Sequence, residues 1–145
     1  DNSPMYDAAN CVAGSCGAWN CSGGTCGCFK DQKMQLYDVG MASMHTMDCA
    51  ALAELATAIG RTADAATLRA RAAEMRELIE IHLWDAESSI YVNLLPNNTF
   101  YRRMSPTSFY AMQTTGPSDE RVDAMARKWL LSPEHFCLTP GGDHN

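Results

Sequence analysis

Aspartates are the residues of this chain whose types and settings best fit acid–base chemistry. Asp1 and Asp7 flank a short polar segment, and Asp38 lies between Tyr37 and Val39 in an apolar setting. A carboxyl group buried in such a setting must either receive hydrogen bonds or keep its proton at a raised pKa, as a proton donor does. The simpler interpretations are solvated loop acids, a helix cap, or an Asx-type turn starting at Asp1. The residue types alone leave both kinds of interpretation open.

Other reactive side chains are present without the spacing that their chemistry needs. Neither a glycine-rich phosphate loop after a strand nor a G-x-S-x-G nucleophile motif occurs. The four histidines have no ligand spacing, and we expect His82, at a helix end, to cap or pack. Arg102 and Arg103 form either a solvated pair at a turn or one ion pair that supports a pocket. We therefore predict no metal site and no cofactor.

The cysteines are numerous, and most of them lie in one glycine-rich segment. The spacing C-x4-C-x4-C-x4-C-x-C lacks the paired C-x2-C knuckles typical of zinc sites. Short Gly/Ser segments cannot bury a core, so we expect disulfides in this loop, with the pairing unassigned. The odd total leaves at least one thiol free, buried or paired elsewhere. The seven cysteines are Cys11, Cys16, Cys21, Cys26, Cys28, Cys49 and Cys137.

Composition limits the class of protein and its partners. With 145 residues, 46% hydrophobic and 19% charged, the chain fits one domain or a piece of a larger one. A net charge of -6 and only 11 scattered Lys and Arg argue against nucleic acid as a partner. The sequence contains no run of 18 apolar residues, so we predict no membrane span in this chain. Two glycosylation sequons, Asn20-Cys21-Ser22 and Asn97-Asn98-Thr99, favour secretion or a secretory-pathway lumen.

Helices are the elements that must position these residues. After a cysteine-rich loop insertion at about 8–30, apolar residues at helical spacing predict a first helix from Lys33, in which Gly40 could introduce a kink. Gly60 is placed to end this helix in the left-handed conformation, and Thr62 to cap a second helix that runs to about Trp84. The apolar residues near helical spacing that indicate this first helix are Leu36, Met44, Met47, Leu52, Leu55 and Ile59.

The second half of the chain combines an extended excursion with shorter helices. Residues 85–104 predict a hairpin around Pro96-Asn97-Asn98. Ser105-Pro106 predicts the start of a helix to about Gln113, and Ser118 the cap of another to about Leu131. Helical hairpins at about 33–84 and 105–131 suggest an all-α repeat, either a superhelical stack or a closed toroid. Each hairpin leaves one face uncovered, so we expect residues 1–145 to be part of a larger domain.

Several segments occur together in the order found in one group of enzymes. They are "DNSPMYD", "LYDVGMASMHTMDCAALAELATAIGR", "LWDAESSIYVN", "RRMSPTSFYAM" and "LLSPEHFC". Over residues 1–7 and about 34–138 the chain resembles glycoside hydrolase family 63, which includes processing α-glucosidases and mannosylglycerate-hydrolase-like enzymes. The resemblance implies antiparallel helical hairpins that form part of an (α/α)6 toroid, completed by the remainder of the parent catalytic domain.

The resemblance also implies an activity and a set of site residues. It implies an inverting glycosidase acting on α-linked glucosides or mannosides, with Asp1 as the general acid. The general base is expected in a Trp- and Arg-containing motif downstream of Asn145, so that this chain alone would be inactive. Their proximity to Asp1, and not the resemblance, makes Asn2, Tyr6 and Asp7 expected substrate contacts, with Tyr6 as an apolar wall that keeps the acid protonated. Asp38 is a further expected substrate contact.

An alternative interpretation makes the chain a binding protein. The cysteine-rich loop would then be a disulfide-knotted, secreted glycan-binding or interaction module on a helical repeat scaffold. Helical hairpins that recur at a fixed period would favour it, and none is seen. Binding of glycans independent of Asp1 would distinguish this alternative from the enzyme.

Overall fold

The structure is a computed structural model that describes residues 29–30, 33–34 and 36–135, and this part of the chain is mostly helical. Two long helices, α1 (Val39–Ala58) and α2 (Thr62–His82), pack antiparallel against each other. This pair confirms the predicted helical hairpin. Before it, β1 (Phe29–Lys30) pairs antiparallel with β2 (Lys33–Met34).

The first helix starts later than its sequence pattern predicted. The predicted start at Lys33 is wrong, because Lys33 and Met34 lie in β2 and Tyr37 forms a β-bridge with Leu94. α1 begins only after Asp38, whose extended backbone (ψ 121°) and side-chain bond to the Met41 amide make it the N-cap. Gly40, at which the sequence allowed a kink or a split, lies in the first turn of a continuous helix.

The turn between the helices depends on one glycine. Gly60 adopts φ +77°, the left-handed conformation predicted for the residue after a helix. The N-cap of α2 is Arg61 rather than the predicted Thr62, and its side chain makes no capping hydrogen bond. Arg61 pairs instead with Asp64 in the first turn of α2 at 2.5 Å. The cap was thus misplaced by one residue.

The buried face of α1 is not the one that carries most of its large apolar residues. Apart from Val39 at its start, the buried side chains of α1 are small, namely Ser43, Thr46, Cys49, Ala53 and Ala56. Leu52, Leu55 and Ile59, three of the apolar residues that indicated the helix, are 50%, 63% and 72% exposed. Small residues allow two helix backbones to approach closely, so α1 presents its small face to α2 and leaves its large side chains outside. At α2, Ala72, Ile79 and Leu83 are buried.

Two short hairpins follow α2 and confirm the predicted excursion. The first pairs β3 (Trp84–Asp85) with β4 (Ile90–Tyr91), and the second pairs β5 (Asn93–Leu94) with β6 (Phe100–Tyr101). The second hairpin turns at the predicted Pro96-Asn97-Asn98 segment, where Asn98 adopts φ +62°.

The last described elements return to helical structure. A 3₁₀ helix, Pro106–Gln113, has Pro106 in its first turn and packs on α1, and Ser105 Oγ shares a hydrogen bond of 2.8 Å with Thr107 Oγ1 instead of capping it. Ser118 does cap α3 (Asp119–Met125), as predicted, and a π-helical turn, Ala126–Leu130, continues it.

The core lies where the end of α2 meets the hairpins and the later helices. Its members are Val39, Ile79, Leu83, Ile90, Tyr91, Val92, Leu94, Ala111 and Met125. The loop end of the α1–α2 pair contributes no large buried side chain within the described residues. No helix in this part of the chain has the length and apolar character that crossing a bilayer requires.

Candidate functional site

The start of α1 is held by side chains from two separate segments. Asp38 Oδ1 accepts the Met41 amide at 2.8 Å, and Asn93 Oδ1 accepts the Val39 amide at 2.8 Å. Asn93 Nδ2 then approaches Asp38 Oδ2 at 3.4 Å. Asn93 is 1% exposed, so this polar contact replaces water that the helix terminus would otherwise need. The amide and carboxylate together fix where the chain enters α1.

The segment that leads into α1 is also fixed by backbone contacts. Tyr37 and Leu94 exchange two backbone hydrogen bonds, of 2.8 and 3.0 Å. Gly40 then packs so closely on the 3₁₀ helix that an added Cβ would lie 2.8 Å from Thr107 Cβ. The Tyr37 side chain itself is 59% exposed. An aromatic ring beside Asp38 is thus presented to solvent from a rigid backbone.

A buried carboxylate, Asp85, joins the two hairpins. Its side chain is 3% exposed and receives Arg102 Nε at 2.5 Å, while Arg102 also reaches Glu87 at 2.7 Å. Burial by itself would raise the pKa of Asp85, but hydrogen bonds from Arg102 and Ser88 and the charge of Arg102 outweigh it and lower the pKa. Asp85 is therefore ionised at neutral pH and unsuited to donate a proton there. Of the two interpretations left open for Arg102 and Arg103, the structure shows an ion pair at Arg102.

A second polar network connects α2, β4 and α3. Tyr91 donates to Glu80 Oε1 at 2.6 Å, and Arg121 donates to Glu80 Oε2 at 2.6 Å. The Arg121 guanidinium also lies 4.8 Å from the centre of the Trp84 ring. Burial and the neighbouring carboxylate raise the pKa of the Tyr91 phenol, so it stays a hydrogen-bond donor. This network anchors α3 and positions no described group for proton transfer.

The turn between β3 and β4 is held by side chains of the π-helical turn. Lys128 Nζ donates to the Glu87 carbonyl at 3.0 Å, and Trp129 Nε1 donates to the Ser88 carbonyl at 2.8 Å. Trp129 further stacks on His135, with ring centres 4.3 Å apart. The π-helical turn therefore closes over the first hairpin.

Of the predicted site residues, the structure describes one. Asp1, Asn2, Tyr6 and Asp7 lie outside the described residues, as does the cysteine-rich loop. Asp38 is half-buried and caps α1, and a substrate contact for it stays a prediction. Cys49 is a free, buried thiol, 3.6 Å from His45 Nε2. Within residues 36–135, no three His, Cys, Asp or Glu side chains come together as metal ligands would.

Comparison with known families gives one match. Residues 4–142 match the Mannosylglycerate hydrolase MGH1-like glycoside hydrolase domain, which is nearly the whole chain. The chain belongs to this glycoside hydrolase family. The match agrees with the resemblance found in the sequence, and it begins three residues after Asp1. No curated protein matches the chain.

For this member of the family, sequence reasoning missed the residues that build the support for Asp38. Asn93 follows Val92 in an apolar run and was taken only as part of a strand, although an amide inside such a run is itself a signal of a buried polar contact. Asp85, which pairs with Arg102 and not with Asp38, was missed as well, because its neighbouring residues do not indicate this ion pair. The roles of Asn93 and Asp85 can be recognised only from their hydrogen-bond partners in the fold, Val39 and Arg102 respectively.

Proposed function

We propose that this chain is part of the catalytic domain of an inverting glycosidase that acts on α-linked glucosides or mannosides, with Asp1 as the general acid. The observation that carries the proposal is the glycoside hydrolase family match over residues 4–142. The name of that family makes a mannose-containing glycoside, such as mannosylglycerate, one of the first substrates to test. We also propose that the protein enters the secretory pathway.

The described residues support this proposal through the way they hold the segment before α1. Tyr37 is bound along β5, and Asp38 is bound to both α1 and Asn93. The Tyr37 backbone and the Asp38 carboxylate therefore keep a fixed position relative to α1, as a substrate contact requires. Asp38 Oδ2 makes only a long contact of 3.4 Å, so it retains the capacity to accept a hydrogen bond from a sugar hydroxyl.

The reaction assigns separate tasks to two carboxyl groups. The protonated carboxyl of Asp1 gives its proton to the glycosidic oxygen as the bond to the anomeric carbon breaks. A second carboxylate, expected in the parent domain, removes a proton from the water that attacks from the opposite face. In inverting enzymes the two groups lie about 6.5–9.5 Å apart, which leaves room for that water. We propose Asn2, Tyr6 and Asp7 as further substrate contacts beside the acid.

The outer face of α1 supports membership of a toroid. Met41, His45, Asp48, Leu52, Leu55 and Ile59 are all exposed and follow one another in steps of four and three residues. This spacing is the one with which a helix packs along another helix. Because α2 covers only the small-residue face, we propose that neighbouring helices of an (α/α)6 toroid cover this second face of α1.

The test is Asp1→Asn in the parent enzyme. We expect turnover of α-glucosides, α-mannosides or mannosylglycerate to fall by at least about 100-fold, since a positioned general acid contributes that much or more. Sugar binding, followed by calorimetry, should change little. NMR of the first product should show the anomer opposite to that of the substrate.

Asp64→Asn is the matched control, because Asp64 is an exposed aspartate on α2. It should leave turnover unchanged. Retention of most activity by Asp1→Asn would remove Asp1 as the acid, and a product with retained configuration would remove the inverting mechanism.

A further inference from the structure

The tip of the β5–β6 hairpin is a compact, exposed turn. The Asn98 amide donates to the Leu95 carbonyl at 2.9 Å, and the Leu95 amide donates to the Thr99 carbonyl at 2.9 Å. Residues 96–99 are exposed, and Asn98 adopts φ +62°. The turn is therefore closed by its own backbone and is covered by no other described element.

The side-chain amide of Asn97 is held in this turn by a hydrogen bond to the backbone. Its Oδ1 accepts the Thr99 amide at 3.0 Å, which forms an Asx turn. The contact uses the oxygen of the side-chain amide, and Asn97 itself is exposed. Asn97-Asn98-Thr99 is also an N-x-T sequon without proline at the middle position. The acceptor nitrogen and the required hydroxyl residue thus lie together on a bend that solvent reaches.

We propose that Asn97 is a site of N-linked glycosylation. The co-substrate is an oligosaccharide joined to a polyprenyl pyrophosphate. Nδ2 of Asn97 attacks the anomeric carbon, the new C–N bond replaces the bond to the pyrophosphate oxygen, and Nδ2 loses one proton. The polyprenyl pyrophosphate leaves. This site goes beyond the proposed hydrolysis and is independent of which sugar the enzyme cleaves.

The fold can hold a glycan at Asn97 without loss of core packing. The hairpin is anchored on its other side, where Leu94 is 8% exposed and Tyr101 is 6% exposed. Four residues before Asn97, Asn93 is 1% exposed and holds the start of α1. A glycan on Asn93 would disrupt that contact, whereas one on Asn97 extends into solvent.

The experiment places the chain, fused to a cleavable signal peptide, in endoplasmic reticulum microsomes. Ser22→Ala removes the other sequon, and a C-terminal tag with its own sequon marks the chains that reach the lumen. We expect tagged chains to carry one glycan more than the tag accounts for, removable by an amidase specific for N-glycans. Thr99→Ala should lose this second glycan, and Thr99→Ser should keep it.

A matched variant tests the role of the fold. In the Thr99→Ala background, Leu95→Thr creates a sequon at the buried Asn93. A glycan at Asn97 should leave protease resistance equal to that of the unglycosylated chain, whereas a glycan at Asn93 should abolish it. Lumenal chains that lack the Thr99-dependent glycan would overturn the proposal. Loss of protease resistance on glycosylation of Asn97 would overturn it as well. Neither result would bear on the Asp1→Asn test of hydrolysis.

Discussion

The two ends of the α1–α2 hairpin are built from opposite kinds of residue. At the end that contains Val39 and Ile79, large side chains are buried. At the loop end, the buried residues are alanines such as Ala56 and Ala65, while Leu55 and Ile59 are exposed. We call these the closed end and the open end.

The difference shows that one helix pair can be stabilised in two ways. The closed end gains free energy from burial within the described residues, because the hairpins and the 3₁₀ helix cover it. The open end has close backbone packing but leaves its large apolar surface for another partner. The closed end should therefore be stable by itself, and the open end only within a larger assembly.

The largest expected effect comes from truncating one large side chain at each end. Ile79→Ala should reduce the free energy of unfolding by about 2–5 kcal/mol, because it leaves a cavity in a packed core. Leu55→Ala should change it by less than about 0.5 kcal/mol, since the side chain is already in solvent. Urea denaturation of the 145-residue chain measures both values. Equal losses would remove the distinction between the ends.

The free energies of unfolding of Ile79→Ala and Leu55→Ala in the parent enzyme test whether other helices cover the open end. If toroid helices cover α1, Leu55→Ala should there become as costly as Ile79→Ala. Leu78, which is exposed on α2, provides a further comparison. If α2 lies on another layer of the toroid, the loss of stability caused by Leu78→Ala should change between the 145-residue chain and the parent enzyme by a different factor from that of Leu55→Ala. A negligible effect of Leu55→Ala in the parent would contradict the proposed covering of α1.

The next largest effect should come from the glycines at the two ends. Gly40→Ala forces a methyl group against Thr107, and we expect a loss of about 1–3 kcal/mol from overpacking. Gly60→Ala meets no atom within 4 Å but must adopt φ +77°, which costs about 1–2 kcal/mol for a residue with a Cβ. Thermal unfolding followed by circular dichroism measures both.

A further pair of variants separates the two causes. Thr107→Ser removes a methyl group that would contact the new side chain and should recover part of the Gly40→Ala loss. The loss in Gly60→Ala should be unaffected by Thr107→Ser and smaller in Gly60→Asn, because Asn tolerates the left-handed conformation. Rescue of Gly60→Ala by Thr107→Ser would contradict the steric explanation.

The smallest expected effect concerns pH and the ion pair at the closed end. The pKa of Asp85 is lowered in the folded protein, so its ionised form stabilises the fold above the ordinary carboxyl pKa of about 3.9. This stabilisation is lost as pH falls through the lowered pKa. Asp85→Asn should therefore unfold at lower urea than the unmodified protein at pH 7, and the difference should shrink below pH 4.

Asp64→Asn provides the comparison at the open end. Asp64 and its partner Arg61 are at least half exposed, and such pairs contribute little to stability. Its urea midpoint should thus differ little from that of the unmodified protein at either pH. A pH-dependent difference as large as that of Asp85→Asn would mean that burial does not set the strength of the Asp85 pair.

Much of the fold could be predicted because its signals are local. The positive φ of Gly60, the cap at Ser118, the turn at Pro96-Asn97-Asn98 and Pro106 at a helix start each depend on a few neighbouring residues. The start of α1 could not be predicted in this way. Leu36 and Tyr37 continue the helical spacing, but Tyr37 is drawn into a β-bridge by Leu94, a residue distant in the sequence.

The candidate site was predictable only in part for the same reason. The family resemblance was visible in short segments and is confirmed by the family match. Asp38 could be selected from its apolar neighbours, and an ion pair at Arg102 could be suggested from its charge. Asn93, which holds Asp38 and the start of α1, could not be selected, because its partners lie 54 and 55 residues away.

The sequence by itself determined the helical hairpin, the strand excursion and the glycoside hydrolase family, since these depend on spacing and motif order along the chain. The tertiary structure decided which face of α1 is buried, where α1 begins and which carboxylate stays ionised. An apolar residue is buried only if another element reaches it, and a carboxylate keeps its charge inside only if a donor does. Sequence spacing describes one element at a time, whereas the burial of an apolar residue and the charge of a buried carboxylate both depend on contacts between two elements.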